Sequence, residues 1–390
     1  MLDVTSVVMG PLATQILGDL GADVITVEPP GGEVTRKMSA GGHDELSGVA
    51  MNLLRNKRNV GIDLAHPDGR QIFGRLVEGA DVMVTNLRES SLERLGLTYD
   101  DVRAIRPDIV FCQATGYASD SPGRDAPAYD DIVQAASGIC DLYVRRDGEP
   151  ALLPTVVADK VSALTIVYSL LAALFHRERT GEGQRVEVPM VDVMRAFVLV
   201  EHAAAAVPEP ALGPPGYPRI LTRQRRPQRT ADGWIQVLPY GRRNYESLFR
   251  VGGREDLIGD ERTRSGPARV ANAESLYRDV AEIVATRTTD EWMEICGAEG
   301  IPAARLATLD EIVDELPVVG HPVAGDYREI VPPVRFSATP ASVRRPAPLP
   351  GQHNHEVLAE AGLDESEIAR LESAGVVWAR PEVGECSSKP

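Results

Sequence analysis

Helical and strand-like patterns alternate along the first 200 residues of the chain. Short runs of apolar and β-branched residues predict strands, and apolar residues spaced three or four positions apart predict helices. The predicted strands are 22–28, 59–64, 80–85 and 108–114, and the predicted helices are 11–21, 67–79 and 99–105. Because helices that alternate with almost continuously apolar strands cover both faces of a parallel sheet, the pattern predicts an α/β fold with a Rossmann-like large domain.

The pattern changes after residue 206, where proline and arginine become frequent and the periodicity is lost. Such a stretch is typical of a linker. We therefore predict the N-terminal part of the large domain at 1–206, a linker at 207–229, a smaller α+β domain at 230–320 and a C-terminal segment at 321–390. A length of 390 residues agrees with more than one folding unit, because a single hydrophobic core rarely grows that large.

The chain is acidic, with a formal net charge of -16 at pH 7. That charge disfavours binding to nucleic acids and to anionic membranes, because both are polyanions. Cys112, Cys140, Cys296 and Cys386 are widely spaced and form no CxxC pair, as in reduced intracellular proteins. The N-terminus has no signal-peptide pattern, so we expect a cytoplasmic protein. We also expect no metal site.

Asp159 immediately precedes an almost uninterrupted apolar run at 161–175, which predicts a buried helix too short to cross a bilayer. A carboxylate at the start of a buried helix has two common uses. It caps the first backbone N–H groups, or it is held at a site where its ionisation matters. The residues around it decide between these uses.

Two basic clusters are candidates for binding phosphate groups. Lys57 and Arg58 precede a predicted strand, and Asn86 follows another, with Arg94 eight residues later. Lys and Arg supply charge-assisted hydrogen bonds to phosphate, and ligands of open α/β sheets bind beyond the carboxyl ends of the strands. A solvated turn and a polar loop are the alternatives. The chain has neither a GxGxxG nor a GxxxxGK[ST] motif, which disfavours a dinucleotide site and a P-loop.

Several short motifs occur in a characteristic order. They are Gly10-Pro11, Leu20-Gly21-Ala22-Asp23-Val24-Ile25, Val27-Glu28-Pro29-Pro30-Gly31-Gly32, Arg36, Asn56-Lys57-Arg58, Asn86, Arg94-Leu95-Gly96, Tyr129-Asp130, Asp159 and Arg179-Thr180-Gly181-Glu182-Gly183-Gln184. In order and spacing they resemble the class III CoA-transferases, a family that also contains the formyl-CoA and carnitine CoA-transferases and the α-methylacyl-CoA racemases. The resemblance extends over nearly the whole chain.

This resemblance implies an acyl-CoA:carboxylate CoA-transferase in which Asp159 is the nucleophile. It implies a CoA site lined by Arg36, Lys57, Arg58, Asn86 and Arg94. Its substrates would be an acyl-CoA and a carboxylic acid, with no tightly bound cofactor. It further implies an interlocked homodimer, in which the C-terminal segment returns to the large CoA-binding domain. We expect the hydroxyl of Tyr129 to orient the acyl group or Asp159.

Two other functions stay open on the sequence. The racemases of the family carry a His where Tyr129 stands and a Glu near Arg242, and a phenol with a pKa of about 10 is a poorer base near neutrality. A CoA-binding protein without turnover, in which Asp159 only caps its helix, is the second alternative. The formyl-CoA branch has a Gln near Val8, which disfavours oxalate and formate. We expect Arg242 and Arg243 on the loop after the strand at 233–238, where the pair either binds the distal carboxylate of a dicarboxylic acyl group or is a solvated arginine pair.

Overall fold

The structure is a computed structural model, and it describes residues 1–379. Its strands are β1 (Leu2–Val4), β2 (Val24–Glu28), β3 (Lys57–Gly61), β4 (Val82–Thr85), β5 (Val110–Thr115), β6 (Gln184–Pro189), β7 (Gln228–Arg229), β8 (Trp234–Val237), β9 (Ala303–Arg305), β10 (Val318–His321) and β11 (Gly325–Arg328). Its helices are α1 (Met9–Asp19), α2 (Gly48–Leu53), α3 (Pro67–Glu78), α4 (Glu89–Leu95), α5 (Tyr99–Ile105), α6 (Asp130–Ser137), α7 (Ile139–Asp147), α8 (Val157–Thr180), α9 (Met190–His202), α10 (Arg242–Val251), α11 (Gly266–Ala271), α12 (Ala273–Val284), α13 (Thr289–Glu299), α14 (Leu309–Asp314), α15 (Asn354–Glu360) and α16 (Glu365–Ser373).

The chain divides into two compact units at other positions than the sequence predicts. The first unit contains 1–137, 153–195 and the residues from 316 onward, and the second contains 138–152 and 196–315. The stretch 207–229 is therefore part of the second unit and not a linker. Arg223 anchors it there, because its guanidinium donates to the carbonyls of Arg146 and Asp147 at 3.0 and 2.6 Å.

The first unit is built on a six-stranded parallel sheet with the strand order β3-β2-β1-β4-β5-β6. This confirms the predicted α/β class, and it is the strand order of a Rossmann-like sheet. The first strand lies in the interior, with β2 on one side and β4 on the other. Because the strand order reverses between β1 and β4, a crevice opens beyond their carboxyl ends.

The C-terminal residues pack on this sheet next to β3. The amide of Asn59 donates to His353 Nδ1 at 3.1 Å, and the amide of Trp378 donates to the Gly61 carbonyl at 3.0 Å. The C-terminal helical region consists of two helices, α15 and α16. Gly362 ends the first with a φ of +82°, a conformation that suits glycine, and Asp364 caps the second.

Helix α8 is longer than the predicted apolar run and is buried on one face only. Ser162, Ile166 and Leu170 are buried, whereas Leu164, Tyr168, Leu171 and Phe175 are exposed by 48 to 63%. The helix has 24 residues and contains an 18-residue window with a mean hydropathy of 1.6, so length and composition alone would allow it to cross a membrane. Core helices of soluble proteins have these properties as well.

The second unit has an antiparallel sheet of β7, β8 and β9 in that order. Helices α10, α12 and α13 contribute to its apolar core, in which Leu248, Val280 and Trp292 are fully buried. The indole N–H of Trp292 donates to the Val284 carbonyl at 2.8 Å, so this buried donor is satisfied.

Candidate active site

A cavity of about 430 Å³ opens in the first unit where the strand order reverses. Its walls come from the loop after β1, the loop after β4 and the loop after β5, together with the segment 126–129 and the start of α8. Parallel α/β sheets bind their ligands at this position. The volume lies within the range of about 300–1,000 Å³ that is usual for small-molecule sites.

Asn86 fixes the two loops that form the floor of this cavity. Its amide nitrogen donates to the Ser6 carbonyl at 2.8 Å, and its amide oxygen accepts from the Ser6 N–H at 3.0 Å. The next residue, Val7, has a φ of 68°, which a β-branched residue rarely adopts. Its N–H donates to Glu33 Oε1 at 2.7 Å. Strained backbone held by several surrounding bonds is common at functional sites.

Asp159 lies in the first turn of α8, and the side chain that caps this helix is that of Asp130. Asp130 Oδ1 accepts from the amides of Ala158 and Asp159 at 2.7 and 3.2 Å. The side chain of Gln134 in turn donates to Asp130 and accepts from the Leu153 amide at 2.9 Å. Within residues 1–379, the carboxylate of Asp159 has no hydrogen-bond or ion-pair partner. Of the two uses predicted for Asp159, the structure gives the capping role to another residue.

The surroundings of Asp159 disfavour its charged form. Burial and, to a lesser degree, the negative charge of Asp130 raise the pKa of the Asp159 carboxyl from 3.8 to about 6. The group is still mostly ionised at neutral pH, but it carries its charge in a site that solvates it poorly. Such a carboxylate lining a cavity is what a nucleophile or a proton acceptor requires.

Positive charge is concentrated around the same cavity. Arg88, Arg94 and Arg124 line it, and all three side chains are exposed. Arg124 lies 3.4 Å from Asp125, whereas Arg88 and Arg94 have no acidic partner within residues 1–379. In the sequence, the run Asn86-Leu87-Arg88 directly follows a predicted strand and Arg94 comes soon after it, so the pattern already indicates these polar groups at the site. The sequence gives no such signal for Arg124.

Tyr129 lines the cavity together with Asp159. Its side chain is 67% exposed, and its hydroxyl forms no hydrogen bond within residues 1–379. The backbone before it closes against the loop after β5. A Cβ on Gly116 would lie 2.1 Å from Ala128 Cβ, so only glycine permits this approach. The residue that orients Asp159 in the structure is Asp130, the neighbour of Tyr129, which the sequence motif contained without a role.

The sequence predicts Arg36 and Lys57 at the CoA site, and in this structure both side chains are fully buried and paired with carboxylates of the same chain. Lys57 Nζ donates to Asp3 Oδ2 and to the Pro11 carbonyl, both at 2.9 Å. Arg36 donates to the carboxylate of Glu28 and to two backbone carbonyls. These cations tie strands and loops of the first unit together, and neither of them lines the cavity of Asp159.

Arg58 is likewise committed to carboxylates of its own chain. Its guanidinium donates to Asp23, Glu356 and Glu360 at 2.5 to 3.0 Å. It does not line the cavity of Asp159, so the predicted set of CoA ligands is divided between two places. Asn86 and Arg94 lie at the cavity, and Arg36, Lys57 and Arg58 lie elsewhere in the first unit.

In the second unit, Arg242 and Arg243 do not lie on a loop. They are the first residues of α10, and Gly241 is the N-cap. Arg242 Nε donates to Glu246 Oε1 at 2.8 Å, one helical turn further along. This pairing supplies Arg242 with an internal acidic partner.

Comparison with known proteins identifies the family to which this chain belongs. Residues 1–354 match the sequence profile of CoA-transferase family III. The chain is 32% identical over 378 residues to the probable fatty acyl-CoA transferase Rv3272 of Mycobacterium tuberculosis, covering 92% of this chain and 96% of that protein. It is 31% identical over 383 residues to the succinate–glutarate CoA-transferase of Agrobacterium fabrum, covering 92% and 94%.

Solved structures give the same result for the fold. The crystal structure of Rv3272 from M. tuberculosis superposes with a TM-score of 0.77 at 30% identity, covering 90% of this chain and 96% of that chain. A CAIB/BAIF family protein from Brucella suis superposes with a TM-score of 0.76 at 26% identity, covering 92% and 97%. On these matches, and with the strand order and the cavity described above, the chain belongs to CoA-transferase family III and is an enzyme of this class.

Proposed function

We propose that this enzyme moves CoA from an acyl-CoA to a free carboxylic acid through covalent intermediates on Asp159. The observation that carries the proposal is the state of that carboxylate. It faces the cavity without an internal partner, because Asp130 caps the helix in its place. A poorly solvated, ionised carboxylate is a better nucleophile than one dispersed in water.

The reaction proceeds through four attacks in sequence. Asp159 attacks the thioester carbonyl of the donor, which forms a mixed anhydride and releases CoA thiolate. The thiolate attacks the aspartyl carbonyl, which gives an aspartyl-CoA thioester and the free donor acid. The acceptor carboxylate then attacks this thioester and releases CoA thiolate again, with a new anhydride left behind. A final attack of the thiolate on the acyl carbonyl yields the product acyl-CoA and restores Asp159.

The remaining groups of the cavity have roles that fit this sequence. Arg88 and Arg94 lack acidic partners in the described chain, so they are available for the phosphates of CoA. Tyr129 contributes a hydroxyl that can hold the acyl oxygen. The combined positive charge of Arg88 and Arg94 also offsets the repulsion that a protein with a net charge of -16 exerts on an anionic substrate.

Removing the nucleophile tests the mechanism. Asp159→Asn and Asp159→Ala should abolish transfer and leave CoA binding within about threefold of the wild type, because the phosphate contacts remain. Hydroxylamine added during turnover should convert Asp159 to the hydroxamate, which peptide mass spectrometry would locate. The matched control is Asp131→Asn, an exposed aspartate next to Asp130 that should remain active. Transfer at the wild-type rate in Asp159→Ala would exclude the mechanism.

Racemisation at the same site has a distinct signature. A racemase exchanges the α-proton of its substrate, whereas the anhydride route leaves the Cα–H bond intact. We expect no α-deuteration when a 2-methylacyl-CoA is incubated with the enzyme in D₂O. Rapid deuteration with loss of stereochemistry would assign the racemase function instead.

The identity of the two acids can be narrowed by a panel of thioesters and free acids. The matched relatives are named for fatty acyl-CoA, succinate and glutarate, succinyl-CoA and mesaconate, and formyl-CoA and oxalate. We propose fatty acyl and succinyl thioesters as the first donors to test, with mass detection of new thioesters. Transfer confined to formyl-CoA and oxalate would contradict our reading of the sequence at Val8.

We also propose that the enzyme works as a homodimer of interlocked chains. The apolar side chains exposed on α8, Leu164, Tyr168, Leu171 and Phe175, follow a helical spacing and form one face. A soluble protein normally covers such a face, and a second copy of the chain is the partner that the family resemblance implies. Light scattering should give a mass of two chains that does not fall on dilution. A concentration-independent monomer would overturn this proposal.

A further inference from the structure

A second cavity, of about 210 Å³, lies within the second unit. Among residues 1–379, four tyrosines and two arginines line it, and no acidic side chain does. They are Tyr217, Arg219, Tyr240, Tyr245, Arg269 and Tyr277. The absence of acids at this cavity contrasts with the rest of the second unit, where Arg145, Arg242, Arg254 and Arg262, among others, each contact a carboxylate.

Arg219 is held in place by aromatic groups. Its Nε donates to the Tyr277 hydroxyl at 2.9 Å, and its guanidinium carbon lies 5.1 Å from the centroid of the Tyr240 ring. Neither contact neutralises the charge, and Arg219 forms no ion pair within residues 1–379. Arg269 donates only to the Thr263 carbonyl, at 2.9 Å. The cavity therefore has a fixed guanidinium whose positive charge is not compensated.

Tyr245 adds an unused donor. The side chain is only 4% exposed, yet its hydroxyl forms no hydrogen bond within residues 1–379. Burial raises the pKa of Tyr245 to about 12, so the phenol keeps its proton at neutral pH. The hydroxyl of Tyr277 accepts from Arg219, which leaves its own proton free to donate. Because Tyr245 and Tyr277 line the cavity, a ligand there can accept from both hydroxyls in place of water.

We propose that this cavity binds a short-chain carboxylate, with its oxygens on Arg219 and on the hydroxyls of Tyr245 and Tyr277. The planar guanidinium matches the two oxygens of a carboxylate. Pro239, Val270 and Ala273 supply apolar walls that suit a hydrocarbon chain and give nothing to inorganic phosphate. The volume is below the range of about 300–1,000 Å³ of ordinary ligand sites, which excludes a CoA thioester and leaves room for a small acid.

The proposal is independent of the chemistry at Asp159, and direct binding to the full-length enzyme tests it. Saturation-transfer NMR and calorimetry would use butyrate as the probe, with uncharged butyramide and inorganic phosphate for comparison. We expect butyrate to bind, and butyramide and phosphate to bind at least tenfold more weakly. Equal binding of butyramide would contradict the role of charge, and tighter binding of phosphate would contradict a carboxylate site.

Variants locate the site. Arg219→Met should weaken butyrate binding by tenfold or more, and Tyr245→Phe by about three- to tenfold. Arg225→Met, an exposed arginine of the same unit, is the control and should bind as the wild type does. Arg94→Met reports on the other cavity. If Arg94→Met abolished butyrate binding and both Arg219→Met and Tyr245→Phe preserved it, the acid would bind at the Asp159 cavity and the proposal would be wrong. Tyr245→Phe, which removes one oxygen, decides the matter should Arg219→Met prove unfolded.

Discussion

Two groups of charged side chains in the first unit are used in opposite ways. In the cluster of Arg55, Lys57 and Arg58, every cation contacts a carboxylate of the same chain, at 2.5 to 2.9 Å for the shortest bond of each. Around the cavity, Asp159, Arg88 and Arg94 have no partner of opposite charge within residues 1–379. The first cluster joins β3 to its neighbours, and the second leaves its charges to be met by a substrate.

The number of cations in a sequence motif therefore says little about whether the motif binds a ligand. Lys57 and Arg58 stand in the sequence next to each other, just as a phosphate site would require. In the fold, however, these cations and Arg55 pair with three aspartates from other elements. Asp3 lies on β1, Asp19 ends α1, and Asp23 lies in the turn after α1. A buried cation whose donors are already bonded cannot turn to a ligand without unfolding its surroundings.

The largest effect should follow from breaking the paired cluster at its most buried member. Lys57→Met leaves Asp3 charged and unpaired in the core, so we expect a loss of about 3–5 kcal/mol in the free energy of unfolding. That loss is a large fraction of the roughly 5–15 kcal/mol of a typical protein. Urea unfolding measures it, with the exposed Lys37→Met as the control. A stable Lys57→Met enzyme with a raised KM for acyl-CoA would restore the phosphate role.

Removing the unpaired carboxylate of Asp159 should instead increase the free energy of unfolding. The pKa of Asp159 is about 6 in the folded protein and 3.8 in the reference state, so the folded form binds more protons between these values. The stability of the wild type therefore falls as the pH rises through this window. Asparagine does not titrate, and Asp159→Asn should be more stable than the wild type by about 1–3 kcal/mol at pH 8.

Urea unfolding at pH 8 and at the lowest pH that keeps the protein folded measures this difference. The advantage of Asp159→Asn should shrink as the pH falls toward 4. A variant that is less stable than the wild type at pH 8 would mean that Asp159 supports the helix. That result would favour the alternative of a CoA-binding protein without turnover.

A matched pair of arginines separates binding from stability. Arg94→Met should raise the KM for acyl-CoA by about 10- to 100-fold, the cost of a hydrogen bond to a charged group, without loss of stability. Arg58→Met should lower stability and leave that KM unchanged, because Arg58 donates to Asp23, Glu356 and Glu360. The KM of wild type should increase with salt more steeply than that of Arg94→Met. Equal KM values for the two variants would remove the distinction between the clusters.

Much of the fold could be predicted because its signals are local. Six of the seven helices and strands predicted in the first 200 residues, including β4 and α5, differ from the observed ones by no more than two residues at either end, since periodicity and turn residues specify them. The boundary between the two units was harder to predict from the sequence. Residues 138–152 join the second unit through contacts such as that of Arg223 with Arg146, and such contacts over long sequence distances leave no periodic trace.

The candidate site was predicted in part for the same reason. Asn86 follows β4, Arg94 lies on α4 directly after that loop, and Asp159 lies in the first turn of α8, so topology brings them together without further information. The burial of Arg36 and Lys57 could not be predicted, because it depends on pairing with Glu28 and Asp3, which lie on β2 and β1. Asp130 lay in a motif, but its bond to the amide of Asp159 spans 29 residues and is visible only in the fold.

The smallest effect that we predict concerns this bond. Asp130→Asn keeps an oxygen that can accept from the amides of Ala158 and Asp159 and removes the negative charge beside the nucleophile. Because only the ionised carboxylate attacks, kcat/KM for acyl-CoA in the wild type should rise with pH through about 6. The loss of the Asp130 charge lowers the pKa of Asp159, so the rise should begin at a lower pH in the variant. The displacement is only part of the total shift, since burial is the larger cause.

Substrate ionisation is common to both enzymes, so the difference between the two pH profiles reports on Asp159 alone. Asp131→Asn, with its exposed side chain, should leave the profile in place. If Asp130→Asn left it in place as well, burial alone would set the pKa, and Asp130 would act on Asp159 only through the backbone.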